Sequence, residues 1–150
     1  MSTDKRQASY LSRIKDLVNE SSYYKHFNMK LIEFTDRGCV MKMKVEDTHC
    51  NIYNTAHGGA LASLADSACG LALATSIKDN EVIATQNLNI NYLLPAMKGM
   101  LTAKGNIIHR GRNSAVLEAD IFDESGRKVV HAHSIHIIRK TDNISKTETS

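Results

Sequence analysis

The chain has no tryptophan, three phenylalanines and a single proline in 150 residues, so aromatic stacking gives little guidance to what it binds. Its three cysteines, Cys39, Cys50 and Cys69, are odd in number and lack CxxC spacing, which argues against both a disulfide framework and a zinc site. It also has no run of about 18 apolar residues that would span a bilayer. The opening MSTDKRQASYLSRIKDL is charged throughout, without the apolar centre of a signal peptide, and the expected compartment is cytoplasmic. Neither sign of charge dominates: 19 basic residues against 16 acidic ones leave +3. That excess falls short of the basic stripe of a nucleic-acid binder, although it favours an anionic small molecule. Neither nucleic acid nor membrane is an expected partner. Repeats and linkers are missing too, and the length suits one domain, 1–150, with a sizeable core.

What is present divides by period. Residues 1–7 are polar and expected to be mobile. Tyr10, Leu11, Ile14, Leu17 and Val18 repeat at helical spacing, which predicts a flanking amphipathic helix over about 9–20. Met29–Thr35 and Cys39–Val45, split by Asp36-Arg37-Gly38, read as a hairpin. A polar loop, 46–56, leads to His57. The longest nearly uncharged run follows, from His57 to about Ile77, and reads as one long helix. The period then changes: 82–94, 100–109, 114–123 and 128–139 read as strands, parted by Pro95 and by two turn sequences, Arg110-Gly111-Arg112-Asn113 and Glu124-Ser125-Gly126-Arg127. The tail 141–150 is polar and expected to be disordered. Strands joined by short turns around one long helix imply an α+β domain with a largely antiparallel sheet.

The central run carries one carboxylate, Asp66. On a helical wheel Leu61, Leu64, Ala68, Leu71 and Thr75 lie opposite it and would press on the sheet. Beside it stand Ala62, Ser63, Cys69, Gly70 and Leu73, mostly small residues that allow a backbone or ligand to approach. No other charge shares that face, unlike a solvated one, and a carboxylate there is costly to ionise unless donors reach it. At the entrance, His57-Gly58-Gly59 leaves free backbone N–H groups open at the positive end of the helix dipole, suited to polarising a carbonyl. Gly58 and Asp66 are about 12 Å apart along one helix, at 1.5 Å per residue. One carbonyl cannot touch both, so cooperation requires Asp66 of one copy to face Gly58 of another across a two-fold axis.

At these residues the chain resembles the hotdog-fold acyl-CoA thioesterases of the PaaI (phenylacetate-pathway) type. The match is carried by Asn51, by His57-Gly58-Gly59 and by Leu64-Ala65-Asp66-Ser67-Ala68. It continues through Asn89-Ile90-Asn91-Tyr92-Leu93-Leu94-Pro95 and His109-Arg110-Gly111-Arg112, so that it covers about 29–139. The resemblance implies a hotdog fold, a curved antiparallel sheet wrapped around a long central helix, paired into a homodimer and often a homotetramer. It implies hydrolysis of an acyl-CoA substrate to free acid and coenzyme A, with no cofactor beyond the coenzyme A of the substrate itself. Asp66 would attack the thioester or activate water, and the Gly58 N–H would polarise the carbonyl. His57 would hold the motif or assist near the thioester, while Asn51 would position the water or the carbonyl region. Thr85 falls where some members carry a serine that orients the water. Gly59, Arg110, Gly111 and Arg112 are the expected coenzyme A contacts, arginine being suited to phosphate.

Other patterns carry less. His131 and His133 share one strand face and His136 points to the other. No carboxylate accompanies them at similar spacing in the sequence, so no metal is expected and these histidines read as lining a subunit contact. Two rival functions keep the same fold: a non-catalytic acyl-CoA-binding sensor, and a hydratase. The first would need an output module, and residues 1–28 are too short for a DNA-binding domain. The second wants a different arrangement of histidine and acid.

Overall fold

The computed structural model describes residues 3–141. Helix α1 (Thr3–Glu20) and the single turn α2 (Ser22–His26) precede a hairpin of β1 (Met29–Thr35) and β2 (Gly38–Val45). After a 3-10 turn, Asp47–His49, comes the long helix α3 (Gly58–Ala74), followed by β3 (Glu81–Tyr92), β4 (Gly99–Arg110), β5 (Ser114–Phe122) and β6 (Lys128–Lys140). All neighbouring strands are antiparallel, in the order β1-β2-β4-β5-β6-β3. The sheet curves around α3, which touches five of the six strands, β2 to β6. This is the hotdog architecture the motifs implied.

The wrapping follows from the composition of α3. Leu64, Ala65, Ala68, Cys69, Ala72 and Leu73 are wholly buried, and Leu61 and Leu71 nearly so. Each buried leucine contributes about 1.5–3 kcal/mol, while the alanines let the sheet come close. At Gly105 on β4 that approach is closest: a Cβ there would overlap the Ala68 carbonyl, so only glycine fits. Cys69 and Leu73, expected beside Asp66 on the open face, lie in this core. A flat sheet would cover half a helix, whereas this curved one covers more and leaves a narrow stripe. That stripe comprises Ala62, Ser63, Asp66, Ser67 and Gly70, all half-buried.

The N-terminal region departs from expectation. Residues 3–7, expected to be mobile, form the start of α1. The Gln7 side-chain amide donates to the carbonyls of Ala74 and Thr75 (3.4 and 3.2 Å), satisfying orphan acceptors at the end of α3. The hydroxyls of Thr75 and Ser76 reach back to Ala72 and Leu73, and α3 stops at Ala74 rather than near Ile77. Of the expected disordered tail, Thr141 is tied down, its N–H donating to Asn80 O at 2.9 Å, and 142–150 lie outside the described residues.

The edge strand β3 carries an irregularity that matters for the site. Its pairing with β6 slips between Thr85 and Asn87, leaving Gln86 as a bulge. Ile83 faces the helix on odd numbering, and Leu88 and Ile90 on even numbering. The bulge reconciles the two phases and lets Thr85 face α3 as well.

Candidate active site

The loop before α3 is built by Asn51. Its Oδ1 accepts from the N–H groups of Tyr53 (2.9 Å) and Thr55 (3.3 Å), and its Nδ2 donates to Thr55 Oγ1 (2.9 Å), an Asx-type turn. Asn54 sits in the left-handed region at φ 67°. The amide expected to position water or carbonyl thus organises the loop that delivers His57. The His57 N–H is anchored on His49 O at 2.8 Å. His49 is itself buried, and its ring bridges the Glu46 N–H and His26 O.

His57 is the N-cap of α3. Its Nδ1 accepts from the Gly59 N–H at 2.8 Å, which places its remaining ring proton on the exposed Nε2. The Gly59 N–H, expected at coenzyme A, is thereby committed to the cap. No acceptor reaches the Gly58 N–H among the described residues, so Gly58 offers the free donor at the positive helix end. Tyr92 belongs to the Asn89–Pro95 motif, in which the sequence alone gives it no role at the site. Its hydroxyl donates to Gly58 O at 2.9 Å and its ring lies against Gly58 Cα, so the aromatic forms one wall of a cavity lined also by Asn51, Leu61 and Leu93 to Ala96.

Asp66 lies on the open stripe, two turns further along α3. The Thr85 hydroxyl reaches its Oδ1 at 2.9 Å, and the same hydroxyl lies 3.1 Å from His136 Nε2. His136 Nδ1 is 3.0 Å from Ser134 Oγ, which donates to Asn87 O at 3.0 Å. His136 is 2 % exposed, and burial pushes its imidazole below the ordinary value, against the pull of the Asp66 charge. These five groups join α3, β3 and β6. His136, expected to line a subunit contact, instead faces α3 next to Gly70. The readable signal was the alternation of β6, which puts Ser134 and His136 on the inward face with Ala132 and Ile138.

Asp66, Thr85 and His136 open into a cavity of about 460 Å³ lined also by Tyr10, Ile14, Tyr23 and Tyr24. Helix α1, read from sequence as a packing flank, therefore supplies part of its wall. Burial pushes the Tyr10 and Tyr24 phenols up. The Cys39 and Cys69 thiols are pushed up to about 12, again by burial first, so neither supplies a thiolate nucleophile.

The β4–β5 turn divides its expected roles. Arg110 donates from Nη2 to Glu81 Oε2 at 2.6 Å and from Nη1 to Gly111 O at 2.5 Å. Burial works against the Glu81 charge, but the Arg110 hydrogen bond holds its carboxyl below the usual range. The Arg110 guanidinium is therefore engaged in fastening the turn to β3. Gly111 N–H pairs with Ser114 O at 2.9 Å. Arg112 is exposed, and it borders an open groove with Lys78, Arg139 and Lys140.

On the outer sheet face, register sets Glu118 opposite His133 and Asp120 opposite His131. His131 Nδ1 meets Asp120 Oδ1 at 2.6 Å, and Glu118, His131 and His133 bring ligand atoms within 4.8 Å of one another. No carboxylate stands beside these histidines in the sequence because it comes from the neighbouring strand. They are the described residues that could hold a metal, and they lie on the face turned away from α3.

The fold has counterparts among known proteins. A family model described as thioesterase superfamily matches residues 53–130. A 1,4-dihydroxy-2-naphthoyl-CoA hydrolase of Listeria monocytogenes is 30% identical over 86 residues, covering 57% of this chain and 70% of the relative. Among solved structures, the PaaI protein of the Escherichia coli phenylacetic acid degradation operon superposes with a TM-score of 0.78 at 21% identity, covering 91% of this chain and 95% of that one. A Streptococcus pneumoniae thioesterase protein solved with coenzyme A gives 0.69 at 31% identity, covering 75% and 90%.

Proposed function

Since the chain belongs to the thioesterase superfamily and is a thioester hydrolase, we propose that it cleaves acyl-coenzyme A thioesters at a site shared between two copies of itself. One observation carries this reading. Asp66 is fixed by Thr85 on an open stripe of α3, while the free Gly58 N–H stands at the helix entrance, about 12 Å away along the axis. Two antiparallel α3 helices would bring the Asp66 of each copy to the Gly58 of the other. Strand β3 supports the pairing, because a twelve-residue strand at the sheet edge needs a partner or a cover. Ile52, Tyr53, Tyr92, Leu93 and Met97 are at least half exposed near the same end of α3, apolar surface that a second copy would bury.

In the reaction, the thioester carbonyl oxygen accepts from the Gly58 N–H of one copy, and the Asp66 of the other acts on the carbonyl carbon, directly or through a water that it deprotonates. The π electrons move to oxygen, where the helix-end donor holds the developing charge. Their return expels the coenzyme A thiolate, which takes up a proton. Water and thioester give acid and thiol, and Asp66 is restored. Arg112, with Lys78, Arg139 and Lys140, suits the phosphates of coenzyme A, whereas Arg110 holds the turn. The Streptococcus relative solved with coenzyme A and the naphthoyl-CoA hydrolase favour a coenzyme A ester as substrate.

Asp66→Asn tests this in an assay that detects free thiol from a panel of acyl-CoA and aryl-CoA esters. Turnover should fall by at least about a hundredfold, with fold and oligomeric state intact. Parental turnover by a folded Asp66→Asn protein would remove Asp66 from the mechanism.

A further inference from the structure

The chain Asn87 O–Ser134–His136–Thr85–Asp66 has four links, of 3.0, 3.0, 3.1 and 2.9 Å. Each link requires one proton. The backbone carbonyl of Asn87 brings none, and neither does an ionised Asp66. Ser134 and Thr85 bring one each, and a neutral imidazole brings one. The chain therefore holds three protons for four links, and one link stays open. Thr85, with a single hydroxyl proton, must choose between Asp66 Oδ1 and His136 Nε2. A fourth proton, delivered to Asp66, would close every link in one direction. The Asp66 carboxyl would then donate to Thr85 Oγ1, Thr85 to His136 Nε2, His136 Nδ1–H to Ser134 and Ser134 to Asn87 O.

The geometry points to His136 and Ser134 as positioning residues that act through Thr85, making Asp66 a general base whose protonated form is held by a completed hydrogen-bond chain. The proton that completes the chain is the one Asp66 removes from the attacking water as the water oxygen bonds to the thioester carbon. It leaves again to the thiolate sulfur when the C–S bond breaks, and the chain returns to three protons. A nucleophilic Asp66 would form an acyl anhydride without taking up a proton, and the chain would then have nothing to receive. This inference rests on the assignment of Asp66 to the reaction.

The surroundings of His136 suit the role. Its cross-strand neighbours are Thr85 on β3 and Ala115 on β5, and Nε2 packs against α3 at Gly70, 3.4 Å from where a Cβ would stand. Of the titratable groups in the adjoining cavity, Asp66 comes from α3, Tyr10 from α1, and Tyr23 and Tyr24 from α2. Burial keeps the imidazole neutral near pH 7, the state in which one link is open.

His136→Leu takes away the acceptor that Thr85 turns to when Asp66 is protonated, and Ser134→Ala removes only the far end of the chain. Both are measured beside Asp66→Asn, with thermal melts to establish folding. His136→Leu should lower kcat by roughly ten- to a hundredfold, the cost of one charge-assisted hydrogen bond, with KM little changed. The acid limb of its kcat profile should move to lower pH, because Thr85 then gives its proton to Asp66 permanently. Ser134→Ala should shift both readouts in the same direction by less. In folded His136→Ala, added imidazole should restore part of kcat. A folded His136→Leu with parental kcat and acid limb overturns the inference, as does a loss of kcat that follows the melting temperature while the pH profile stays put. If His136 variants do not fold, a Ser134→Ala protein with an unmoved profile overturns it equally. An inactive Asp66→Asn alongside an unaffected His136→Leu rejects the chain alone, whereas an active Asp66→Asn rejects the assignment on which it rests.

Discussion

At the scale of single residues, the site depends on side chains that already have partners. Asn51 and Gly59 are spent on the loop and the helix cap, so the proposed reaction draws on the Gly58 N–H and Asp66. Thr85 connects Asp66 to the sheet, and its hydroxyl rather than its methyl makes that contact. Thr85→Val, similar in shape, should lower kcat about tenfold or more by removing a hydrogen bond to a charged group, whereas Thr85→Ser should retain most activity. Steady-state kinetics on one ester with both variants separates hydroxyl from bulk. Asp66 could be read from sequence because it is a lone charge in an apolar run. The alternation of β6 places His136 on the inward face, but not beside Thr85, which is 51 positions away and meets it only through the β3–β6 register.

At the scale of elements, the strands were legible because alternation and turn residues agree in the sequence. The helices were less so. Helix α1 begins in the charged stretch before its apolar stripe, held in part by Gln7 against the end of α3, a contact 67 positions distant. The wheel of α3 misplaced Cys69 and Leu73, because a wheel assumes a flat neighbour and this sheet curves. The bulge at Gln86 did leave a trace, in the phase change between Ile83 and Leu88. The turn between β5 and β6 carries its own pH dependence. Asp123 accepts from the Ser125 hydroxyl and N–H and from the Arg127 N–H and Nε, and these contacts, Ser125 first, lower its pKa to about 2. Gly126 completes the turn at φ +83°. A depressed carboxyl contributes stability above its unfolded pKa and loses it as pH falls through the folded one. Asp123→Asn should therefore be less stable than the parent at pH 7, and the gap should close between about pH 4 and 2. Urea midpoints across that range measure it.

At the scale of the whole molecule, the fold and the reaction class were both legible, because the motifs of α3 and β3 occur together at their family spacing. The proposed sharing of the site between copies rests in the sequence on arithmetic alone, about 12 Å of helix between a donor and a carboxylate. The outer sheet face is the opposite case. Its histidines are close in sequence, but the carboxylates that meet them, Glu118 and Asp120, sit on the adjacent strand. Among the described residues no helix is long and apolar enough to cross a membrane. The cationic groove by Arg112 lies at the far end of β3 from the Gly58 entrance.

The cap at His57 has a consequence for inheritance. Because Gly59 closes the cap, Gly58 is the first helical residue, a position where proline is favoured, and His57 at φ −62°, ψ 137° has the backbone a residue before proline prefers. Gly58→Pro therefore deletes the free N–H while sparing the helix. Alone it should be nearly inactive, as should Asp66→Asn. Produced together in one cell, the two should rescue each other: half of randomly paired dimers are mixed, each with one intact site and one doubly damaged site. The mixture should show roughly a quarter of parental activity. Two alleles of this gene, each silent on its own, would then complement within a single cistron, and a mixture that stayed silent would place both groups of each site in the same chain.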